Sequence, residues 1–348
     1  MRVGIIGFGR VAAEDHVPAY QVVGGFEMAA VADASPVGRR AARDRLRRAR
    51  VYASHREMLA AESLDLVDIC TPPSFHIAQT INALNAGAAV LCEKPVASGS
   101  GEFAQLIKVA QNRALLFPCH NWRFSPGIRL ARRLIARGVI GQPRRLEIEI
   151  RRAAPARGSP HWKPGWRLEQ GIAGGGVWMD HGPHIVYLCE DLLGSPVEAI
   201  SLQASGPGYP GEAVESTVRS TLSVGSAEAF VSLDWRAHDR LTRYRLLGCN
   251  GEIDITEQSI SCRINNAPQR QFANRWPLGR PGTRQIWYTH LFRQVRVAMM
   301  NESLKEQWLA EIGRIAHVME AGYRSAALRG EILTVPTSSL ARALVSSN

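Results

Sequence analysis

The sequence predicts two architectures in series: a doubly wound α/β half on a parallel sheet, then an α+β half on a large, mostly antiparallel open sheet. Three observations carry this. Up to about residue 120, short apolar runs alternate with amphipathic stretches in βαβα order, which argues for a parallel sheet covered on both faces. A glycine-rich turn, Gly7-Phe8-Gly9-Arg10-Val11-Ala12, separates the first such run from the first helical stretch. Beyond Gly138-Val139-Ile140-Gly141-Gln142-Pro143 the pattern changes to alternating strand-like runs divided by Gly, Asn and Asp turns.

In chain order, the apolar runs Arg2 to Ile6, Phe26 to Ala32, Leu66 to Cys70, Ala88 to Cys92 and Leu115 to Cys119 have the length of buried strands. Amphipathic spacing predicts helices between them over 10–23, 36–47, 55–61, 75–86 and 102–113. A linking helix is expected near 126–136. Strands are then predicted over Arg145 to Arg151, Ala199 to Ala204, Thr217 to Val224, Ala227 to Trp235, Arg243 to Leu247 and Glu252 to Thr256. Helices near 180–193 and 284–299, and a long one from Ser303 to Leu328, complete the second half. The expected domains are 1–122 and 123–348, with the C-terminal segment able to pack back on the first. There is no internal repeat or low-complexity segment.

At 348 residues and 45 % hydrophobic content the chain can bury two ordinary cores. Its start lacks the features of a signal peptide, and no apolar stretch reaches the roughly 18 to 20 residues of a membrane span. A cytoplasmic protein without a membrane partner is expected. The six cysteines form no C-x-x-C pair and lie near no histidine at zinc spacing, so they are read as packing residues, with no metal. The formal charge of +11 raises nucleic acid as a partner. The arginine clusters (Arg39-Arg40, Arg43 to Arg50, Arg132-Arg133, Arg144-Arg145) lie mostly at helical spacing or in turns, and no nucleic-acid motif accompanies them. An anionic cofactor or substrate is the simpler partner.

The glycine turn has the context of a dinucleotide-binding Rossmann fingerprint. Gly7 allows the tight turn, Gly9 lets backbone approach a pyrophosphate, and Ala12 permits close helix packing. Phe8, Arg10 and Val11 complete the loop. Asp33 ends the second strand 21 residues past Ala12, where a carboxylate binds ribose hydroxyls and repels a 2′-phosphate. NAD is therefore expected, while Arg39 and Arg40 keep NADP open.

Four lysines stand against 38 arginines, and one of them, Lys94 in Glu93-Lys94-Pro95, closes an apolar strand. Arginine stays charged, whereas a lysine in a partly desolvated cleft can exchange a proton. Thr71-Pro72-Pro73, followed by His76, lies at the carboxyl edge of the sheet, where open α/β folds bind ligands. Asp180 and His184, four apart, share one helix face. The preceding Gly174-Gly175-Gly176 would let backbone approach a ligand or the other domain.

Gly7-Phe8-Gly9, Asp33, Thr71-Pro72-Pro73 with His76, Glu93-Lys94-Pro95, Asn121-Trp122-Arg123-Phe124, and the triple glycine with Asp180 and His184 together resemble the glucose-fructose oxidoreductase / inositol dehydrogenase / rhizopine catabolism (Gfo/Idh/MocA) superfamily. The likeness spans residues 3 to about 190 in family order; the last 150 residues are similar in pattern only. It implies an NAD(P)-dependent oxidoreductase acting on a secondary hydroxyl or ketone of a sugar, cyclitol or glycoside. It implies that Lys94 meets Asp180 and His184 over the nicotinamide, with Thr71, Pro72, His76, Glu93 and Asn121 along the cofactor.

His184 then suits the general base, Lys94 the group that binds the reacting oxygen or relays its proton, and Asp180 their orienter. His181 points about 100° from Asp180 and is read as substrate-side. Arg123 and the loop residues Trp162, Trp166 and Arg167 are candidate substrate contacts, since sugars stack on tryptophan and arginine binds anions. Many sugar and inositol members carry an aspartate three residues after the histidine; Tyr187 stands there, which weakens an inositol-type specificity. An NAD-dependent glycosidase using transient sugar oxidation is the alternative, and a cofactor-sensing regulator a third reading. Family members imply a homodimer or homotetramer.

Overall fold

The computed structural model describes residues 1–110, 115–160, 162–210, 213–265, 268–273, 285–300 and 305–336. The first half contains β1 (Arg2–Ile6), α1 (Val17–Val23), β2 (Glu27–Ala32), α2 (Pro36–Arg45), β3 (Arg50–Tyr52), α3 (His55–Ala61), β4 (Leu66–Ile69), α4 (His76–Asn85), β5 (Ala89–Cys92), α5 (Ser100–Ala110) and β6 (Leu116–Pro118). All six strands are parallel, in the order β3-β2-β1-β4-β5-β6. The chain reverses direction across the sheet between β1 and β4, which creates a ligand-binding crevice at their carboxyl ends. The β1, β4 and β5 side chains are almost all buried, as a sheet covered on both faces requires.

The three-residue strand β3 is not predicted by periodicity, because Arg50-Val51-Tyr52 is too short and too polar to read as a buried run. Among the described residues it pairs only with β2, at the sheet edge. The helix expected over 10–23 contains a π turn at Ala12–His16, where the Val17 N–H reaches the Ala12 carbonyl. Pro18 explains the wider turn: proline offers no N–H and crowds the carbonyl four residues before it.

The second half runs α6 (Pro126–Ala136), β7 (Pro143–Arg151), α7 (Gln170–Ala173), α8 (Val177–Leu193), β8 (Val197–Ser205), β9 (Thr217–Val224), β10 (Ala227–Asp234), β11 (Leu241–Gly248), β12 (Gly251–Ile255), β13 (Ser259–Ile264), β14 (Arg270–Ala273), α9 (Gln285–Ala298), α10 (Lys305–Ala327) and β15 (Leu333–Thr334). Residues 111–113 of one predicted helix, 303–304 of another, and His161 lie outside the described residues. The sheet order is β14-β13-β12-β11-β7-β10-β9-β8-β15, antiparallel except for the β7–β10 pair. Alternation buries one face: Leu146, Ile148 and Ile150 of β7 and Ala229, Val231 and Leu233 of β10 lie under α8. Each such branched aliphatic side chain contributes about 1.5–3 kcal/mol by leaving water. The unpredicted strands β13, β14 and β15 lie toward the sheet's ends, and β14 is exposed along its whole length, so it carries no apolar alternation.

The chain divides into two compact units, each discontinuous in sequence. One is Met1–His120, Ala156–Gly174 and Tyr288–Ala316; the other is Asn121–Pro155, Gly175–Trp287 and His317–Asn348. Among the described residues no helix is long and apolar enough to cross a membrane.

Candidate active site

The fingerprint loop lies in the first unit, at the crevice between β1 and β4. Gly7 has φ +86°, and a Cβ there would fall 2.8 Å from the Thr71 methyl, so both backbone and space demand glycine. At Gly9 an added Cβ would meet nothing within 4 Å. The loop thus leaves open the space a pyrophosphate needs, at the start of a helix whose first N–H groups favour an anion. Asp33 accepts from the Phe8 N–H at 2.6 Å and the Ser35 N–H at 2.7 Å, tying the loop to the end of β2. Arg39 donates to the Asp33 and Ala34 carbonyls at 2.8 and 2.9 Å, so its guanidinium sits on the same turn. Arg10 pairs with Glu14 on the exposed side. These residues fit a dinucleotide.

The turns after β4 and β5 are joined by His76, whose ring nitrogens lie 2.6 Å from the Thr71 carbonyl and 2.7 Å from the Pro95 carbonyl. Burial pushes this imidazole down, against the pull of both carbonyls. Both ring nitrogens face main-chain carbonyls, so the ring shapes the edge on which Thr71, Pro72 and Lys94 stand. Lys94 is half-buried, precedes a cis peptide bond to Pro95, and donates its backbone N–H to Glu93 Oε2 at 3.2 Å.

Glu93 also turns inward. Its Oε1 lies 3.2 Å from His16 Nε2 and accepts from the Tyr288 hydroxyl at 3.0 Å, while His16 Nδ1 lies 2.8 Å from Asp68 Oδ2. Glu93 therefore anchors the end of β5 from inside the fold. Burial opposes its charge, yet His16 and Lys94 hold the carboxyl down to about 2. Burial likewise opposes the His16 charge, and Asp68 with its hydrogen bond overcomes it, raising the imidazole well above its ordinary range. Neither His16 nor Asp68 is singled out by motif, although Asp68 is the one charged residue in the apolar run Leu66 to Cys70. A buried carboxylate needs a partner, and that is the signal available in sequence.

The sign of the pH dependence follows. The Glu93 carboxyl is depressed in the fold, so its contribution is present above its unfolded value near 4.5 and is lost as pH falls toward about 2. The His16 contribution is complete below its unfolded value near 6.5 and is lost only as pH rises through the elevated folded value. Urea unfolding across acid pH should therefore show a steep loss below about pH 4.5, and Glu93→Gln should flatten that slope. An unaltered slope would contradict the ion-paired Glu93.

In the second unit, α8 carries Asp180 and His184. Protein atoms already require two of the three glycines before it. Gly174 ends α7 at φ +79°, an added Cβ on Gly175 would overlap the Tyr323 hydroxyl, and one on Gly176 would overlap the Glu215 carbonyl oxygen. The fully buried Glu215 carboxylate accepts from the Gly176 N–H at 2.9 Å, the Trp178 N–H at 2.9 Å and the Tyr323 hydroxyl at 3.0 Å. Its own carbonyl accepts from the Val177 N–H at 3.0 Å. Glu215 thus caps α8 from outside, and the helix starts at Val177, earlier than the predicted 180. Burial pushes its carboxyl up, with the converging N–H groups and the Tyr323 hydroxyl opposing.

His184 is buried, stacked on Trp122 at 4.1 Å and 4°, with Nδ1 2.7 Å from the Tyr187 hydroxyl. The Trp122 N–H donates to that same hydroxyl at 3.1 Å. Burial keeps the Tyr187 phenol well above its ordinary range, so it remains a neutral hydroxyl. The Asp180 carboxylate, half-buried in the first turn, lies 3.9 Å from His181 Nε2 and faces the charge of Arg152. Arg152 is absent from the predicted site. It donates to the Arg151 and Leu241 carbonyls and to Thr242 Oγ1, and burial first, then Arg240, pushes it down to about 10.

The remaining candidates divide. Arg123 forms a fork on Asp191 at 2.9 and 3.3 Å and covers the Tyr187 ring at 5.0 Å, so its guanidinium supports the histidine helix. His181 lies between Trp122 and Trp235, and Asn121 is buried at the start of the same short turn. In the first unit, Trp166 fills the space beside Gly158, and Arg167 stacks on Trp166 while donating to the Ala156 carbonyl at 2.9 Å. Those two residues brace their own loop. Trp162 instead meets Phe75, just after Thr71-Pro72-Pro73, at 6.3 Å edge-on.

Comparison with known proteins gives two family matches: "Oxidoreductase family, NAD-binding Rossmann fold" over residues 1–118 and "GFO/IDH/MocA C-terminal domain" over 128–254. The D-glucoside 3-dehydrogenase of Escherichia coli K12 is 31 % identical over 212 residues, 59 % of each chain. The 1,5-anhydro-D-fructose reductase of Ensifer adhaerens is 30 % identical over 219 residues, 62 % of this chain and 64 % of that one. The chain therefore spans about three-fifths of the length of these relatives. A solved levoglucosan dehydrogenase in complex with NADH and levoglucosan shares the fold, with a TM-score of 0.84 at 20 % identity over 97 % of this chain and 99 % of that one.

Proposed function

The chain belongs to the GFO/IDH/MocA oxidoreductase family, and we propose that it is an NAD-dependent dehydrogenase or reductase acting on a secondary hydroxyl or ketone of a sugar, cyclitol or glycoside. The observation that carries this reading is the carboxyl edge of the parallel sheet, where the open Gly9 loop, Asp33, the Thr71 turn and the half-buried Lys94 stand together on neighbouring strands. Relatives named as acting on D-glucosides and on 1,5-anhydro-D-fructose support the substrate class.

The nicotinamide, when bound, exchanges the hydride; the chain's residues manage the proton and the geometry. His184 takes the hydroxyl proton in oxidation and returns it in reduction. Tyr187 holds the ring at Nδ1: with its hydroxyl oxygen accepting the Trp122 backbone N–H and an Nδ1–H, the Nε2 lone pair is the one that takes the proton. Lys94 donates to the reacting oxygen and stabilises its developing charge. Asp180, beside the Arg152 cation, orients the helix-face groups. Trp162 offers a ring for stacking a sugar face. The face of the second sheet bearing Arg145, Glu147, Arg219, Phe230, Arg243 and Arg245 surrounds a groove of about 490 Å³ and suits a homo-oligomeric contact.

Asp33→Ala is expected to raise the KM for NAD by about 10- to 100-fold, the loss of a charge-assisted pair of hydrogen bonds, and to narrow the preference over NADP. Ratios of kcat/KM for the two cofactors measure it. The function itself is tested with a panel of sugars, inositols and glycosides in the presence of NAD or NADP. Sustained formation of reduced nicotinamide supports it; aglycone release without net reduction would replace it with a glycosidase.

A further inference from the structure

We infer that His16 is a positioning residue for the catalytic lysine turn, a buried cation bridging Asp68 of β4 and Glu93 at the end of β5 and thereby fixing the peptide that carries Lys94. The inference rests on the role proposed above for Lys94.

Both ring nitrogens face a carboxylate oxygen, at 2.8 and 3.2 Å, and the side chain has no exposure to solvent. A neutral ring would turn a lone pair against one of those oxygens, so the geometry calls for two N–H groups. Among the described residues the other groups around the ring are weakly acidic or aromatic, Tyr20 beside Asp68 included. Cys70 Sγ lies 3.4 Å from Nδ1 and Cys119 Sγ 3.9 Å from Nε2, while Tyr288 and Phe292 of α9 pack at ring distances of 4.6 and 5.2 Å. The π turn after the fingerprint ends on His16. A proline-induced turn thus aims this residue into the sheet.

Glu93 transmits the constraint. One oxygen is held by His16 and Tyr288, the other receives the backbone N–H of Lys94. Without His16 the carboxylate would lose one of its three partners and face a second buried carboxylate. The turn would then be free to rotate away from the carboxyl edge. The same atoms fall into two sets that could ligate a metal, His16 with Asp68 and Cys70, and His16 with Glu93 and Cys119.

Nitrogen-15 NMR of histidine-labelled full-length protein, with His16→Gln to assign the signal, should find both His16 nitrogens protonated and unchanged across the neutral pH range. A bare ring nitrogen there, or stoichiometric metal by elemental analysis, would overturn the inference; the wild-type spectrum decides even if the variant does not fold. Where it folds, His16→Gln should lower kcat about 10- to 100-fold and displace the pH profile of kcat/KM, as loss of a supporting shell does, with the Kd for NADH within about threefold. In a Lys94→Met background it should lower kcat no further. Lys94→Met is also the reference: full turnover in that variant refutes the role of Lys94 itself. An inactive Lys94→Met beside a His16→Gln of unaltered kcat and pH profile refutes the positioning role alone.

Discussion

Lys94→Met is expected to lower kcat by about 1,000-fold while the protein stays folded and binds NADH within a few-fold of the wild type. Methionine matches the length of the lysine stem and removes only the ammonium, and the side chain is half-buried at a strand end, so no cavity is opened. What is lost, on the proposed role of Lys94, is the donor to the reacting oxygen. A single preorganised donor of this kind contributes about 100- to 1,000-fold, and a proton relay adds to it. His184→Ala should cost a comparable factor, with added destabilisation because the imidazole is stacked flat on Trp122 and buried. Tyr187→Phe, which leaves the ring and removes only the partner of Nδ1, should cost about 10-fold. If Lys94 and His184 act on one oxygen, the double variant should fall little below the worse single one. Steady-state kcat and a fluorescence titration with NADH separate these effects. Full turnover in both Lys94→Met and His184→Ala would eliminate the proposed site.

How much of this arrangement is legible in the sequence depends on how local each cause is. Gly7 and Gly9 are readable because a turn between a strand and a helix restricts backbone within a few residues. The buried strands β4 and β5 are readable because both their faces are covered and the run is apolar. Edge strands such as β3 and β14 lack that constraint, so their residues carry no periodic signal. The same limit applies to polar partners. Glu215 lies 39 residues from the helix end that it caps, and His16 meets carboxylates 52 and 77 residues away. The partner of Arg123, Asp191, lies 68 residues on and takes both ends of its fork. Tyr187 is three residues from His184 and on its helix face, so its hydrogen bond was within reach of spacing arguments. The triple glycine is the instructive case: the demand for small residues is visible, but what occupies their space is not.

That occupancy gives the largest expected effect on stability. Gly176→Ala should destabilise the second unit by about 3 kcal/mol or more, because the new methyl would overlap a backbone carbonyl that cannot rotate aside. The Glu215 carbonyl is held by the Val177 N–H, and its carboxylate by two further N–H groups and the Tyr323 hydroxyl. Relief therefore requires the first turn of α8 to move, breaking hydrogen bonds to a charged group worth about 1.5–3 kcal/mol each. Glu215→Gln keeps the shape but sets an amide N–H₂ against a backbone donor, and should cost about 2 kcal/mol. Gly174→Ala is the contrast. It bears the strain of a left-handed backbone, about 1 kcal/mol. Urea midpoints of the three variants should follow that order. Asp180 lies in the first turn of α8 and His184 one turn further on, so the Gly176 variant should also lose kcat beyond what its folded fraction explains. A Gly176→Ala protein as stable as Gly174→Ala would mean that Glu215 does not hold the helix end, and that the triple glycine answers to a ligand after all.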